Sequence, residues 1–445
     1  MTSIRLRPLI QHLRRFFQGA VPLIFMILVT TNASDPWPVY GETPAAASAP
    51  PRQVWNKLDN GLQFGSLPLP SVLSESEQRA IIITSWNIGW AHDGPQESGL
   101  ALLSAELLSR AFSSEAASTE VRSGYLRTWW IEKVAPKDVL KHLEMISKRL
   151  MEPLKDEALL AEVKLMLLGQ QQKIVSKSVQ TLSHRIQDRI TPLRSGPWGQ
   201  LQVEKIDLAQ INKFIQSKFT AANVHIAIVG PHDPAPTLVF ANRTLALATQ
   251  GVIQQPPVVR APVFGEIGIK RDTTGLPGAI IRSWRIPKPG SFDSLSLGIF
   301  IPRLIQILGK ETVHWNPSVD PDLLTIRLPI EPTDAEAKIG ILTARARLDA
   351  AIAFGLNANM TAADLTLARK SMGATLGISR VHDEESMINP QGAAEALMLR
   401  KLHDVDEQKQ RNKFGRNPAS QMSNLQMKYI SQSLSVTGIV VPIKR

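Results

Sequence analysis

Hydrophobic positions in this chain follow two periods. The run Ala80–Trp86 is short, apolar and β-branched, which predicts a buried strand. A strand-like pattern also surrounds Asn60-Gly61-Leu62 within residues 54–67. Leu100, Leu103, Leu107, Leu108 and Ala111 then recur at helical spacing and predict an amphipathic helix over 97–112. Further helices are predicted at 137–151, 156–173 and 179–190, and Asp207 is placed to cap one that runs to about Phe219. The strand Val224–Val229 ends at Gly230. Residues 231–265 carry many prolines, including Pro256-Pro257, and read as a connector.

Beyond it the pattern starts again. Strands are predicted near 265–270 and 278–284, helices near 294–308, 334–354 and 361–372, and a last strand at 436–443. The order of elements repeats, without an obvious sequence period. The reading is an α+β chain of two similar halves, each a sheet backed by helices. The boundaries are 53–235 for the N-terminal domain, 236–264 for the linker and 265–445 for the C-terminal domain.

The first residues follow a different logic. Arg5, Arg7, Arg14 and Arg15 precede the apolar run Ala20–Val29, and small and polar residues follow up to Ala33. This is the three-part plan of a secretory signal, so 1–33 is read as a signal peptide, with an uncleaved anchor as the alternative. The apolar run is about ten residues, half of what a spanning helix needs. Residues 34–52, rich in Pro, Ala and Ser, read as a tether. Location is therefore expected to be the periplasm, with attachment to the inner membrane only through an uncleaved N-terminus.

Composition narrows the chemistry. The chain has 445 residues, 43% of them hydrophobic, enough for two domains with cores of their own. No cysteine is present, which excludes a disulfide framework, a thiolate-held metal and a thiol nucleophile. The formal charge is +11, and the four arginines near the start leave +7 for the rest. No nucleic-acid-binding motif accompanies that charge, so nucleic acid is not an expected partner.

The first half resembles the pitrilysin/insulinase-type zinc metallopeptidases. The resemblance rests on Asn60-Gly61-Leu62, on Gly99-Leu100-Ala101 opening a helix after a Gly-containing loop, and on Ala222-Asn223 before Ile226–Gly230 and Pro231-His232-Asp233. It implies two mostly antiparallel sheets facing each other around a cavity. In active members Gly-x-Ala leads into His-x-x-Glu-His, whose two imidazoles hold zinc from one helix face while the Glu activates the bound water. Here the matching positions are Leu102, Ala105 and Glu106. The resemblance therefore implies a degenerate zinc motif, no catalytic residues and no cofactor, where active relatives use zinc. Glu106 and Glu162 are the weak candidates left for a metal. In the second half, Pro302-Arg303-Leu304 matches a Ser-Arg-Leu element, which puts Gly309 at the family's substrate-binding Arg and His314, Trp315 or Asn316 near its Tyr. Thr361 or Asp364 would cap the helix that follows. Members of this size often work as pairs, so the expected partner is a catalytic zinc-peptidase subunit, in a heterodimer, with peptides as possible ligands.

Two other function classes stay open at this point. One is a metallopeptidase with a rearranged site built on Glu106, Glu162 and a histidine such as His92 or His184. The other is a structural subunit of an envelope assembly. His382-Asp383-Glu384-Glu385 reads as a solvated face before it reads as a metal site, and Lys409–Arg416 as a surface loop. Trp129-Trp130 fits a packed strand as well as it fits a peptide cleft.

Overall fold

A computed structural model of the chain describes residues 54–114, 117–191, 201–255, 258, 261–272, 278–289, 291–316, 318–330, 337–357, 359, 361, 389–404 and 418–442. The signal and tether readings, the helix expected after Thr361, His382–Glu385 and Lys409–Arg416 lie outside these residues. Among the described residues no helix is long and apolar enough to cross a membrane.

The first sheet is built from β1 (Val54–Lys57), β2 (Gln63–Pro68), β3 (Ala80–Trp86), β4 (Ala117–Ser123), β5 (Thr128–Val134) and β6 (Val224–Gly230), in the order β1-β2-β6-β3-β5-β4. The second contains β7 (Gly265–Asp272), β8 (Gly278–Arg285), β9 (Val313–Asn316), β10 (Asp320–Ile330) and β11 (Ser435–Pro442), in the order β7-β11-β8-β10-β9. Leaving out β1, the two orders are the same, and each sheet has one parallel pair, β2 with β6 and β7 with β11. The halves are thus the repeated, mostly antiparallel α+β unit expected.

The helices are α1 (Leu100–Ala111), α2 (Val139–Met151), α3 (Glu157–Val175), α4 (Ser178–Ile190), α5 (Leu208–Lys218), α6 (Pro234–Thr244), α7 (Leu297–Leu308), α8 (Ala337–Gly355), α9 (Gln391–Leu402) and α10 (Pro418–Lys428). One face of the first sheet packs against α1, α2, α3, α5 and α6 through Phe64, Ile82, Trp86, Trp130 and Ile228. One face of the second packs against α7, α8 and α10 through Trp284, Leu324, Ile326 and Ile439.

The remaining faces are covered by exchange. α4 comes from the first half, yet its Val179, Leu182 and Ile186 pack on Ala279, Ile281 and Val440 of the second sheet. α9 comes from the second half, and its Ala394, Leu397 and Met398 pack on Ile81, Ile83 and Val229 of the first. This explains why β3 is buried at every position: a strand covered on both faces reads as a continuous apolar run. It also ties the two halves into one body.

The elements differ from the sequence reading in specific places. The pattern at 54–67 is two strands joined at Asn60-Gly61, where Gly61 takes a left-handed φ of 89°. The stretch read as a connector opens with α6, because Pro234 stands at its first turn and Asp233 accepts from Ala235 N–H. Strands β4, β9 and β10 and helices α9 and α10 were not expected as such, while β5 takes the packed-strand alternative offered for Trp129-Trp130.

A direct contact between the halves is made at the turn between β4 and β5. A Cβ added to Gly124 would stand 2.6 Å from Val319 Cβ and 2.6 Å from Asp320 Oδ1. Gly124→Ala is therefore expected to force the turn off the second half, at a cost of about 1–3 kcal/mol. Denaturant unfolding of the variant checks this, and an unchanged midpoint would refute the tight contact.

Candidate functional site

The helix that carries the candidate motif is well anchored. Asp93, in the loop before it, accepts from Gly99 N–H and Ala101 N–H through its two carboxylate oxygens, at 2.8 Å each. That satisfies two of the helix's open N–H groups with a negative charge at the positive end of its dipole. Gly99 takes a left-handed φ of 97°, and a side chain there would strike Leu201.

Leu102, Glu106 and Arg110 form a stripe along α1, each a turn from the next. Leu102 is 5% exposed and Ala105 is fully buried, both within the core of the first half. Glu106 is half-buried, and burial pushes its carboxyl above the usual range while Arg110, one turn on, pulls the other way. Arg110 donates to Glu162 Oε1 of α3 at 2.8 Å and also reaches Met166 Sδ at 2.8 Å. Glu162 is therefore held in an exposed ion pair with a neighbouring arginine, which contributes little to stability. Two aliphatic side chains and a paired glutamate are poor material for a zinc site, which needs convergent imidazole or carboxylate donors.

The histidines offered as substitutes stand elsewhere. His92 lies in a short helical turn, where Gly89 N–H donates to its Nδ1 at 3.2 Å. Its Nε2 is enclosed without a partner, and burial holds the ring down to about 4, so it is neutral near pH 7. His184 belongs to α4, the helix that covers the second sheet, and burial lowers it too. Among the described residues no three of His, Cys, Asp and Glu gather where a metal ion could be held. Glu106, Glu162 and either histidine do not form such a group.

In the second half Gly309 closes α7. It takes φ 90° and ψ 150°, a region open essentially to glycine alone, and nothing lies within 4 Å of where its Cβ would be. Backbone geometry accounts for the glycine. Trp315 is a strand residue whose indole N–H donates to Pro321 O at 3.1 Å. Arg303 is engaged inside the fold, donating to the carbonyls of Asn357 and Asn359 at 2.7 and 2.9 Å. Trp129 and Trp130 project to opposite faces of the first sheet, and both are fully buried, so neither lines an open cleft. Trp130 stacks on Trp86, with ring centroids 6.1 Å apart.

No family profile matches the sequence, and no curated protein does. Solved structures do match by fold. A protease from Helicobacter pylori is 14% identical, with a TM-score of 0.70, over 88% of this chain and 100% of that one. The peptidase M16 inactive domain from Pseudomonas fluorescens is also 14% identical, with a TM-score of 0.65, over 88% of this chain and 98% of that one. The first half of the periplasmic protease PqqL from Escherichia coli is 12% identical, with a TM-score of 0.60, over 89% of this chain and 93% of that one. The chain has the fold of M16-like peptidase domains, the pitrilysin/insulinase type.

Proposed function

We propose that this chain is a non-catalytic relative of the M16 zinc peptidases that acts in the cell envelope, as the partner subunit of an active peptidase or as a scaffold that holds peptides. The observation that carries the reading is the state of the motif positions: Leu102 and Ala105 are core residues, and among the described residues Glu106 joins no group of three metal-ligating side chains. The similarity to an M16 domain described as inactive supports it. So does the reading of Gly309 at the family's substrate-binding arginine. The basic and apolar plan of residues 1–33 and the likeness to a periplasmic protease support an exported location. A cavity between the halves, which the family resemblance implies, would be the place for a peptide.

Zinc content is the direct test. The purified chain, incubated with excess zinc and desalted, is expected to hold none. About one tightly held zinc per chain, as a functional site would keep, would overturn the reading. The partner role has its own measurement. Isolated gently from its native extract, the chain is expected to bring a zinc peptidase with it. A monomer arriving alone would rule that role out.

A further inference from the structure

The duplication supplies an internal control. β3 and β8 carry Ser85-Trp86 and Ser283-Trp284 at equivalent places. Each tryptophan donates its indole N–H to a carbonyl shortly before the last strand of its sheet, Lys218 at 3.1 Å and Ser431 at 3.2 Å. Across the sheet, Ser85 lies between His225 and Trp129, and Ser283 lies between Val436 and Thr325. Two residues before Trp129 and Thr325 stand Arg127 and Leu323.

The second half closes this corner with apolar residues, and the cation opposite Leu323, Arg285, is held by Asp322. The Ser283 and Thr325 hydroxyls share a hydrogen bond of 2.7 Å, and Leu323 and Val436 pack in an apolar cluster under α4. The first half, at the same corner beneath the end of α9, does the opposite. Ser85 Oγ is enclosed without a hydrogen-bond partner. His225 replaces the valine, and its Nδ1 lies 3.4 Å from Asn87 Nδ2. Arg127 replaces the leucine. Its Nη1 is 3.3 Å from His403 Nε2, and no carboxylate among the described residues pairs with it.

More cations lie nearby. Lys401, on α9, stands over the Trp55 ring at 5.5 Å. Burial first, then the charges of Lys401 and Arg127, hold His225 down to about 4. From the second half, Lys288 is lowered by burial and by Arg285 and Arg127. Arg127 is enclosed closely enough for burial to bring it down to about 10, yet solvent still reaches it. Arg127 thus stands half-buried at a partly open corner, or crevice, of the first sheet. The buried acids nearby among the described residues are engaged elsewhere. Asp322 is taken by Arg285 at 2.5 Å. Asp320 accepts from Tyr125 N–H, and burial pushes its carboxyl up to about 7. Enclosed cations without a counter-charge cost folding free energy. The second half shows that the fold has an apolar alternative.

We propose that this crevice is a binding site for an oxyanion, a carboxylate or a phosphate, with Arg127 and Lys401 supplying the charge and the Ser85 hydroxyl a hydrogen bond. A guanidinium presents two parallel donors that match either group. The site is independent of the peptidase reading, since none of its residues belongs to the motif stripe.

Thermal unfolding and calorimetric titration of the full chain at low salt test it. The probes are inorganic phosphate, a short uncharged peptide with a free C-terminal carboxylate, and the same peptide amidated. The wild type is expected to bind phosphate or the free-carboxylate peptide and to melt higher with it. Arg127→Met is expected to bind about tenfold more weakly, while Arg127→Lys keeps part of the affinity. In anion-free buffer Arg127→Met should melt higher than the wild type, because it removes an enclosed charge that no carboxylate among the described residues pairs. A merely structural arginine would give the reverse. Binding of the free-carboxylate peptide but not the amidated one assigns the site to a peptide terminus, and binding of phosphate alone assigns it to a free anion. Lys401→Met, on the rim, is the second variant and should weaken binding as well. Failure of every probe to bind, or binding that both Met variants leave unchanged, would overturn the proposal.

Discussion

Arg149→Met is expected to cost about 3–5 kcal/mol, because it strands a buried carboxylate. Glu132 of β5 and Arg149 of α2 are both 0% exposed and lie within the first half. Arg149 Nη2 donates to Glu132 Oε1 at 2.8 Å and to Phe112 O at 3.2 Å, and its guanidinium stands 5.4 Å from the Trp130 ring centroid. His142 Nε2 approaches Glu132 Oε2 at 3.2 Å. Burial alone would push Glu132 up. Arg149 and His142 outweigh it and leave the carboxyl at about 2. With a folded value below the unfolded one, this group stabilises the fold above about pH 4.5, and that contribution is lost as pH falls toward 2. Without Arg149 the carboxylate stays enclosed with only His142 beside it. Denaturant unfolding at pH 7 measures the loss, and thermal unfolding should fall by about 2–4 °C per kcal/mol. The double variant Glu132→Leu with Arg149→Met is expected to recover most of the stability, since an apolar pair leaves no charge behind. A single-variant loss under about 1 kcal/mol would show that the pair is incidental.

The parts of the fold legible in the sequence were those whose pattern is local. β3 and β6 are continuous apolar runs because both of their faces are covered. α1 and α5 show helical spacing with a capping acid or a helix-entry glycine. β10 was hidden because Pro321 and Pro329 stand in it, and proline argues against a strand interior. β4 alternates polar residues at the sheet edge and reads as a loop. α9 has an even mix of Ala, Leu and charge, and its place on the first sheet depends on the exchange of helices between halves, which no local pattern shows.

The site divides in the same way. Leu102, Ala105 and Glu106 could be named because a motif fixes their spacing, but only the structure shows that the first two are core residues. Gly309 looks like a lost arginine in sequence and is a helix end in space. The cationic crevice draws on Arg127, His225, Lys288 and Lys401, which lie on separate segments. One signal for it was present in the chain. Ile82-Ile83-Thr84-Ser85-Trp86 repeats as Ile280-Ile281-Arg282-Ser283-Trp284. Superposing the halves on that repeat sets Arg127 against Leu323 and His225 against Val436.

Asp320→Asn is expected to stabilise the protein above neutral pH and to change little near pH 4. Asp320 sits at the start of β10, where the β9–β10 register shifts, and its Oδ1 accepts from Tyr125 N–H of the first half at 2.9 Å. Burial pushes its carboxyl from an ordinary 3.8 up to about 7. The folded state therefore holds a proton that the unfolded chain has released over that range. Stability falls as pH rises from about 4 to about 7, and the full cost stands above it. Asparagine keeps the carbonyl oxygen that accepts from Tyr125 and carries no charge at any pH. The gain at pH 8 should be on the order of 2–4 kcal/mol. Urea midpoints of the two proteins at pH 4.5 and pH 8 give the comparison. A gap that widens with pH assigns the cost to this carboxyl. A gap that stays constant would mean the Asp320 charge is neutralised in the folded protein, and that the contact between Gly124–Tyr125 and the second half is insensitive to its protonation.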